Sequence, residues 1–178
     1  MTHYTHIDSP LGHILLVSNG TSLTGLYFVG QKYAAEPADD WFRSHSVQPF
    51  REAERQLAEY FAGQRRDFDL PLSPEGTPFQ NSVWRAIAVI PWGSTVSYSA
   101  LARSLGAPRS VRAAAAATGR NPISIVVPCH RVVGSDGSLT GYAGGLDRKR
   151  RLLALETLPG GFVGNSRRAM ELRDRPQQ

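Results

Sequence analysis

The pattern of hydrophobic residues changes once along the chain, at a short segment rich in proline and glycine. Residues 70–76 contain two prolines and one glycine, which favour turns over helices and strands. Before this segment, short β-prone runs are separated by Pro10-Leu11-Gly12 and Asn19-Gly20, as in hairpins. After it, apolar residues recur at helical spacing. The sequence therefore predicts a small sheet followed by a mostly helical region.

The N-terminal part is predicted to contain three strands and one helix. The strands cover residues 5–9, 13–18 and 23–29. Residues 31–48 show little periodicity and are predicted to form a loop. Apolar residues from Phe50 to Phe61 then follow helical spacing, and Gly63 ends that pattern.

The C-terminal part is predicted to begin with three helices. Thr77-Pro78 is a favourable N-cap and first-turn pair for the first of them. The next two are predicted over residues 97–105 and 108–117, one capped by Ser97 and the other started by Pro108. Two short helices joined by a tight turn with glycine predict a helix-turn-helix.

The predicted fold class is α/β, of the α+β kind. A buried strand is predicted over Ile125–Val127, and a last helix over residues 146–158. The predicted units are a small N-terminal sheet-plus-helix domain, a mostly helical C-terminal domain with the helix-turn-helix, and a polar tail that we expect to be disordered, covering residues 1–75, 76–158 and 159–178.

Positive charge is concentrated in the C-terminal part. Residues 79–156 contain ten basic and three acidic side chains, whereas the rest contains ten basic and twelve acidic ones. Such a field favours a polyanionic partner, nucleic acid first, with a merely solvated basic face as the alternative. No signal peptide and no run long enough to span a membrane is recognisable. We therefore expect a soluble, cytoplasmic protein.

Cys129 is the only cysteine of the chain, and it lies in Pro128-Cys129-His130-Arg131 after a short apolar run. A thiol beside a histidine is a candidate activated nucleophile. The alternative is an inert cysteine that packs as a small hydrophobic residue. A lone cysteine also excludes an internal disulfide and a zinc site built from several thiolates, and we expect neither a metal nor a cofactor.

A nucleophilic thiol needs a base, and the base works best when a third group orients it. Neighbours on an extended backbone point to opposite faces, so contact between Cys129 and His130 needs a turn, or else a bridging water. Glu156 stands among leucines; an acid there should be paired if buried, and an exposed helix position is the alternative. Asn121 precedes Pro122 and is, taken alone, typical of a turn.

The third predicted C-terminal helix contains five consecutive alanines, residues 113–117. Such a helix suits tight packing in a core, or close approach to a narrow surface such as a DNA minor groove. Arg112 leads this run and could contact phosphate or enter a base stack. Tyr98, at the start of the preceding helix, could contact a phosphate or a base.

Residues 79–156 resemble the O6-alkylguanine-DNA alkyltransferases, also called methylated-DNA–protein-cysteine methyltransferases. The matching segments, in the family's order and spacing, are Phe79-Gln80-Asn81-Ser82-Val83-Trp84, Ile90-Pro91-Trp92-Gly93-Ser94-Thr95-Val96-Ser97-Tyr98, Asn121-Pro122, Pro128-Cys129-His130-Arg131-Val132-Val133 and Gly141-Tyr142-Ala143-Gly144-Gly145. Lys149, Leu152, Leu153 and Glu156 complete the pattern. The first 75 residues resemble the family only loosely, as a small sheet-and-helix domain.

This resemblance implies DNA repair by one direct, irreversible and stoichiometric transfer of an alkyl group, such as methyl, from O6-alkylguanine to Cys129. The family's pattern makes Cys129 the nucleophile, which His130 deprotonates through a water. Glu156 then orients His130, and Asn121 braces the active-site turn. The resemblance implies a methylated-DNA–protein-cysteine S-methyltransferase that acts once and uses no cofactor.

The resemblance also implies how the substrate is bound. Double-stranded DNA is contacted through its minor groove, and the damaged nucleotide is flipped out while Arg112 fills the gap and Tyr98 drives the rotation. The implied DNA-binding residues are Tyr98, Arg112, Ala113, Ala115 and Ala116. The implied pocket residues are Tyr98, Ser124, Cys129, Val132, Tyr142 and Ala143. We expect a monomer without membrane contacts, and clustering along DNA is left open.

One departure and two alternatives remain from the sequence. Ala115 and Ala116 stand where relatives often carry glycine, which could change how closely the helix approaches DNA. A relative that only binds and flags lesions is one alternative, but such proteins lack the nucleophilic cysteine. A cysteine hydrolase is the other; it leaves Arg112 and the basic field unexplained, and it would turn over repeatedly.

Overall fold

The structure, a computed structural model, describes residues 1–157. The strands are β1 (His3–Ile7), β2 (Ile14–Ser18), β3 (Leu23–Phe28), β4 (Phe42–Arg43), β5 (Val96–Ser97) and β6 (Val132–Val133). The helices are α1 (Gln48–Phe61), α2 (Pro78–Ala88), α3 (Tyr98–Ser104), α4 (Val111–Gly119) and α5 (Leu146–Leu155). Leu158 and the predicted tail lie outside the described residues. Within those residues, no helix is both long and apolar enough for a bilayer crossing.

The N-terminal sheet has the strand order β3-β2-β1-β4. Its first three strands form the two antiparallel hairpins that the turn residues predict. The fourth strand, parallel to β1, was not predicted. Two exposed residues in a loop carry no alternating pattern that sequence could reveal. The α/β fold class is confirmed.

One hydrophobic core extends through both halves of the chain. Every residue of β2 is buried, and α1 contributes Phe50, Leu57 and Tyr60 from one face. The backbone N–H of Leu26 in β3 donates to the carbonyl of Pro122, 2.8 Å away. This contact fixes the segment leading to Cys129 against the N-terminal sheet.

Two predicted elements are wrong in detail. Helix α4 begins at Val111 rather than at Pro108, because residues 107–110 form a turn closed by the Ser110 N–H and the Ala107 carbonyl. Ile125–Val127 is not a strand but part of a compact buried turn, in which Ile125 has a φ of 70°. Three apolar residues in a row indicate burial, and they cannot by themselves distinguish a strand from a turn.

Helix α2 positions α4. Thr77 and Gln80 form a capping box that starts α2 as the sequence predicts. From α2, the indole Nε1 of Trp84 donates to the Ala117 carbonyl of α4 at 2.8 Å, and Trp84 is almost fully buried. Ala114 and Ala117 are buried on the inner face of α4, so their small side chains allow close packing of this helix.

Replacing Trp84 with phenylalanine removes the donor and leaves the Ala117 carbonyl without its indole partner. We expect the free energy of unfolding, measured by urea denaturation, to fall by about 2 kcal/mol. The control is Trp92→Phe, since Trp92 is only partly buried and stacks on Arg66; its loss should stay below about 1 kcal/mol. Equal losses in both variants would contradict a specific role of the Trp84 bond.

Candidate active site

Cys129 lies at the start of a single 3₁₀ turn, Cys129–Arg131, directly after Pro128. The backbone is therefore not extended here, and the turn that contact between the two side chains would need is present. The Cys129 residue is 4% exposed and His130 is fully buried. The nucleophile and its neighbouring imidazole thus lie together in the interior of the protein.

Asn121 closes the loop that leads to the cysteine. Its Nδ2 donates to the Val127 carbonyl at 2.8 Å and to Cys129 Sγ at 3.1 Å. Its Oδ1 accepts from the Ile123 N–H at 3.0 Å. One buried amide therefore fixes both ends of the turn and contacts the thiol, which goes beyond the plain turn residue that sequence alone suggests.

Glu156 is 1% exposed and forms the centre of a buried hydrogen-bond network. Its Oε1 accepts from His130 Nε2 at 2.7 Å, from Arg131 Nη2 at 2.8 Å and from the Tyr60 hydroxyl at 2.8 Å. Its Oε2 accepts from Arg131 Nε at 2.9 Å. Of the two positions that the sequence left open, the structure has the buried and paired one.

Arg131 and Tyr60 are the members of this network that sequence reasoning missed. Arg131 follows the Cys-His pair directly and also donates from Nη1 to the Ile90 carbonyl at 2.6 Å. Its place next to a candidate base was a usable signal, since a buried carboxylate needs a cationic partner. Tyr60 carried no such signal, because its helical spacing in α1 is equally typical of a core residue.

The network fixes the protonation states of its members. Burial raises the pKa of Glu156, but hydrogen bonds and charges from His130 and Arg131 outweigh burial and bring it to about 2. Burial lowers the pKa of His130 by more than Glu156 raises it. The imidazole is therefore neutral at pH 7, and Nε2 carries its proton because an ionised carboxylate can only accept.

The other ring nitrogen, His130 Nδ1, is then left with a free lone pair. Among residues 1–157 it has no hydrogen-bond partner, although it is buried. Burial also raises the pKa of the Cys129 thiol, an effect that Asn121 and Lys149 oppose in part. At rest the pair is a neutral thiol beside an imidazole that is ready to accept a proton.

Lys149 links the cysteine segment to the glycine-rich loop above it. The residue is fully buried, and its Nζ donates to the carbonyls of Val132 at 2.6 Å, Gly141 at 3.1 Å and Thr140 at 3.3 Å. Burial lowers its pKa to about 8, and the Cys129 thiol opposes this. Sequence reasoning recorded Lys149 in the family pattern without predicting this contact.

A cavity of about 640 Å³ opens beside α4. Its lining includes six of the residues predicted for DNA or substrate, namely Tyr98, Arg112, Ala115, Ala116, Tyr142 and Ala143. Cys129 interacts electrostatically with both Tyr98 and Tyr142. The thiol is therefore next to the cavity, although it does not line it.

The remaining predicted residues lie around the cavity rather than on its wall. Val132 is buried, with its carbonyl held by Lys149. Ser124 is buried as well, and its hydroxyl donates to Gln31 Oε1 at 3.4 Å. Ala113 is exposed on α4 and does not line the cavity.

The arrangement suits covalent chemistry at sulphur. A proton can pass from the thiol to His130 while Glu156 holds the imidazole, and the cavity can receive a planar group beside the sulphur. Within residues 1–157, histidine, cysteine and acidic side chains form no cluster of three or more that could hold a metal ion.

Two family models together match almost all of the described residues. Residues 78–158 match the 6-O-methylguanine DNA methyltransferase, DNA binding domain, and residues 2–74 match the 6-O-methylguanine DNA methyltransferase, ribonuclease-like domain. The N-terminal half, whose sequence resembles the family only loosely, therefore also has a counterpart in it.

Individual proteins are similar over nearly the whole chain. The methylated-DNA–protein-cysteine methyltransferase of Methanosarcina barkeri is 52% identical over 154 residues, which cover 86% of this chain and 96% of the relative. The protein of the same name from Mycobacterium tuberculosis strain H37Rv is 48% identical over 159 residues, covering 88% and 93%. The crystal structure of Mycobacterium tuberculosis OGT in complex with DNA matches with a TM-score of 0.83 and 42% identity, covering 97% of this chain and 99% of that one.

Because the pKa of Glu156 is lower in the folded protein than its ordinary value of 4.5, ionised Glu156 stabilises the fold above that pH. This contribution should be lost as the pH falls from about 4.5 to about 2 and should amount to about 3 kcal/mol. We expect urea unfolding to reveal a large deficit for Glu156→Gln at pH 7 that narrows towards pH 2. Glu54→Gln, at an exposed position of α1, is the control, and a deficit of Glu156→Gln that stays constant with pH would contradict this prediction.

Proposed function

Because the chain belongs to the 6-O-methylguanine DNA methyltransferase family, we propose that Cys129 is the residue that receives the alkyl group. The protein is a methylated-DNA–protein-cysteine methyltransferase, which repairs DNA directly by transferring the methyl group to one of its own cysteines. Cys129 is the only cysteine in the sequence. The observation that carries the assignment is the chain of contacts from Glu156 through His130 to the segment of this one thiol.

The transfer needs one proton movement and one displacement. The Cys129 thiol loses its proton to His130 Nδ1 through a bridging water, and Glu156 stabilises the imidazolium that forms. The sulphur attacks the alkyl carbon, so a C–S bond forms while the bond from carbon to O6 breaks. The electron pair goes to the guanine, where a hydrogen bond from the Tyr98 hydroxyl and uptake of a proton neutralise the developing charge.

The reaction runs once per molecule. The product is a thioether, which is neither a good leaving group nor a nucleophile of the kind the thiolate was. The proposed machinery contains one base and one acceptor and nothing to remove the alkyl group again. Repair is therefore stoichiometric and irreversible, without a cofactor.

Binding requires that the damaged nucleotide leave the duplex, since O6 of a stacked guanine cannot reach a buried thiol. We propose that α3 and α4 act as a helix-turn-helix whose second helix enters the minor groove. Ala113 and Ala116 are exposed on that helix, and these small side chains permit close approach. Arg112, also exposed, fills the gap that the flipped nucleotide leaves.

The flipped base enters the cavity beside Cys129. Tyr142 and Ala143 line that cavity, and the Val132 carbonyl accepts a hydrogen bond from the base. Lys149 already donates to this carbonyl, so its orientation is fixed before substrate arrives. Ser124 supports the same pocket from below.

All groups assigned to the reaction come from one chain, so we propose that the protein acts as a monomer. Its reactive residue is a free thiol, which must remain reduced to react. A cytoplasmic location meets this requirement.

The decisive experiment is the intact mass of the protein after incubation with duplex DNA carrying one O6-methylguanine. We expect a gain of one methyl group in place of one proton, mapped to Cys129 and saturating at one per molecule. Cys129→Ala should gain no mass and still bind the duplex. Tight binding of the lesion by the wild type without any mass gain would support the flagging protein instead, and repeated turnover would support the hydrolase.

Arg112→Ala should separate flipping from chemistry. Because Arg112 is proposed to fill the stack, its loss should slow methyl transfer from duplex DNA about tenfold or more, as expected for a few kcal/mol of unstacking. Reaction with free O6-benzylguanine, which needs no flipping, should keep the wild-type rate. Arg51→Ala, an exposed change on α1, is the matched control, and equal slowing on both substrates would contradict the wedge.

A further inference from the structure

The N-terminal half of the chain forms part of the wall of the substrate cavity. Besides residues of α4 and of the glycine-rich loop, the lining includes Lys32 and Tyr33, which follow strand β3. Neither residue belongs to the segments that carry the family pattern, and the proposed reaction assigns them no role. Their position raises the question of what they contact when DNA is bound.

This segment is fixed against the active site. The Lys32 N–H donates to the Ala143 carbonyl at 3.0 Å. The side chain of Gln31 is buried, and its Oε1 accepts from the Phe28 N–H at 2.8 Å and from the Ser124 hydroxyl at 3.4 Å. Since Ala143 and Ser124 belong to the proposed pocket, Lys32 and Tyr33 are held in register with it.

Tyr33 has an unusual backbone for a residue with a large side chain. Its φ is 60°, in the left-handed region that glycine normally occupies. The ring is 48% exposed, so burial of the ring does not explain the conformation. One face of the ring instead meets the guanidinium of Arg120, whose Cζ lies 3.7 Å from the ring centroid, and Lys32 Nζ lies 4.9 Å from the centroid.

The ring therefore joins two cations from different halves of the chain at the rim of the cavity. A guanidinium that stacks through its face keeps its N–H donors free along its edge. Within residues 1–157, neither Arg120 nor Lys32 forms an ion pair with an acid. The described lining contains a third cation, Arg112, and no acidic side chain. These donors await an anion from outside the protein.

We propose that Lys32 and Arg120, held together by Tyr33, bind the backbone phosphates next to the flipped nucleotide. This proposal rests on the proposed function, since it takes DNA as the ligand. A flipped nucleotide remains attached to its strand, so the phosphates on both sides of it must pass the mouth of the cavity. Phosphate is the anion that a lysine and a stacked arginine bind together, and the N-terminal half thus takes part in holding the substrate.

The test compares neutral variants on substrates with and without phosphates. Lys32→Gln and Arg120→Gln should each slow methyl transfer from a lesion-bearing duplex about fivefold and reduce the salt dependence of binding by about 0.9 in slope per lost phosphate contact. Reaction with free O6-benzylguanine should be unchanged, which also verifies that the variants fold. Arg51→Gln, which removes an equal charge from α1, is the control and should keep the full transfer rate.

The phosphates can also be neutralised from the DNA side. Methylphosphonate linkages on either side of the O6-methylguanine should slow the wild type and should have little further effect on Arg120→Gln. Tyr33→Phe, which keeps the ring, should behave as the wild type, whereas Tyr33→Leu should approach Arg120→Gln.

Two outcomes would overturn the clamp: duplex rates equal to those of Arg51→Gln, or equal losses on duplex and free base. A wild type that gains no methyl group from any duplex would instead overturn the proposed function, so the two failures are distinguishable.

Discussion

The buried carboxylate of Glu156 is the constraint on which the rest of the site depends. A fully ionised carboxylate in the interior is tolerated only when every lone pair finds a donor. Here the donors are His130, Arg131 and Tyr60, and they come from the cysteine turn and from α1. To satisfy one charge, the fold must bring the end of α5, the 3₁₀ turn and the N-terminal helix together. The same contacts give the imidazole its tautomer and thereby its ability to take a proton.

This constraint makes the N-terminal half part of the active site rather than an appendage. Tyr60 reaches the carboxylate from α1, Gln31 supports Ser124, and the Leu26 N–H binds the loop that carries Asn121. The division into domains at residues 1–75 and 76–158 stays a prediction about the organisation of the sequence. In the described structure, the two parts share one core and one set of polar contacts.

The sequence predicted the local elements well, because their signals are local. The capping pair at Thr77 and the spacing of apolar residues in α1 depend on neighbours within one or two turns. It also identified the cysteine and histidine, which stand together in the chain. It could not find Tyr60, which lies 96 residues from its partner Glu156. It misread Ile125–Val127, because the left-handed backbone of Ile125 is stabilised by surrounding contacts that no short pattern records.

The neutral, buried thiol has a consequence for a protein that can react only once. Each molecule wasted on a stray electrophile or oxidant is a molecule lost to repair, and the thiolate is the form that such reagents attack. Burial raises the pKa of Cys129 and limits its exposure to 4%, so indiscriminate reagents meet little reactive sulphur. The reactive form arises when His130 takes the proton, with the substrate already beside it. Selectivity for the lesion and long shelf-life in the cell thus have the same physical origin.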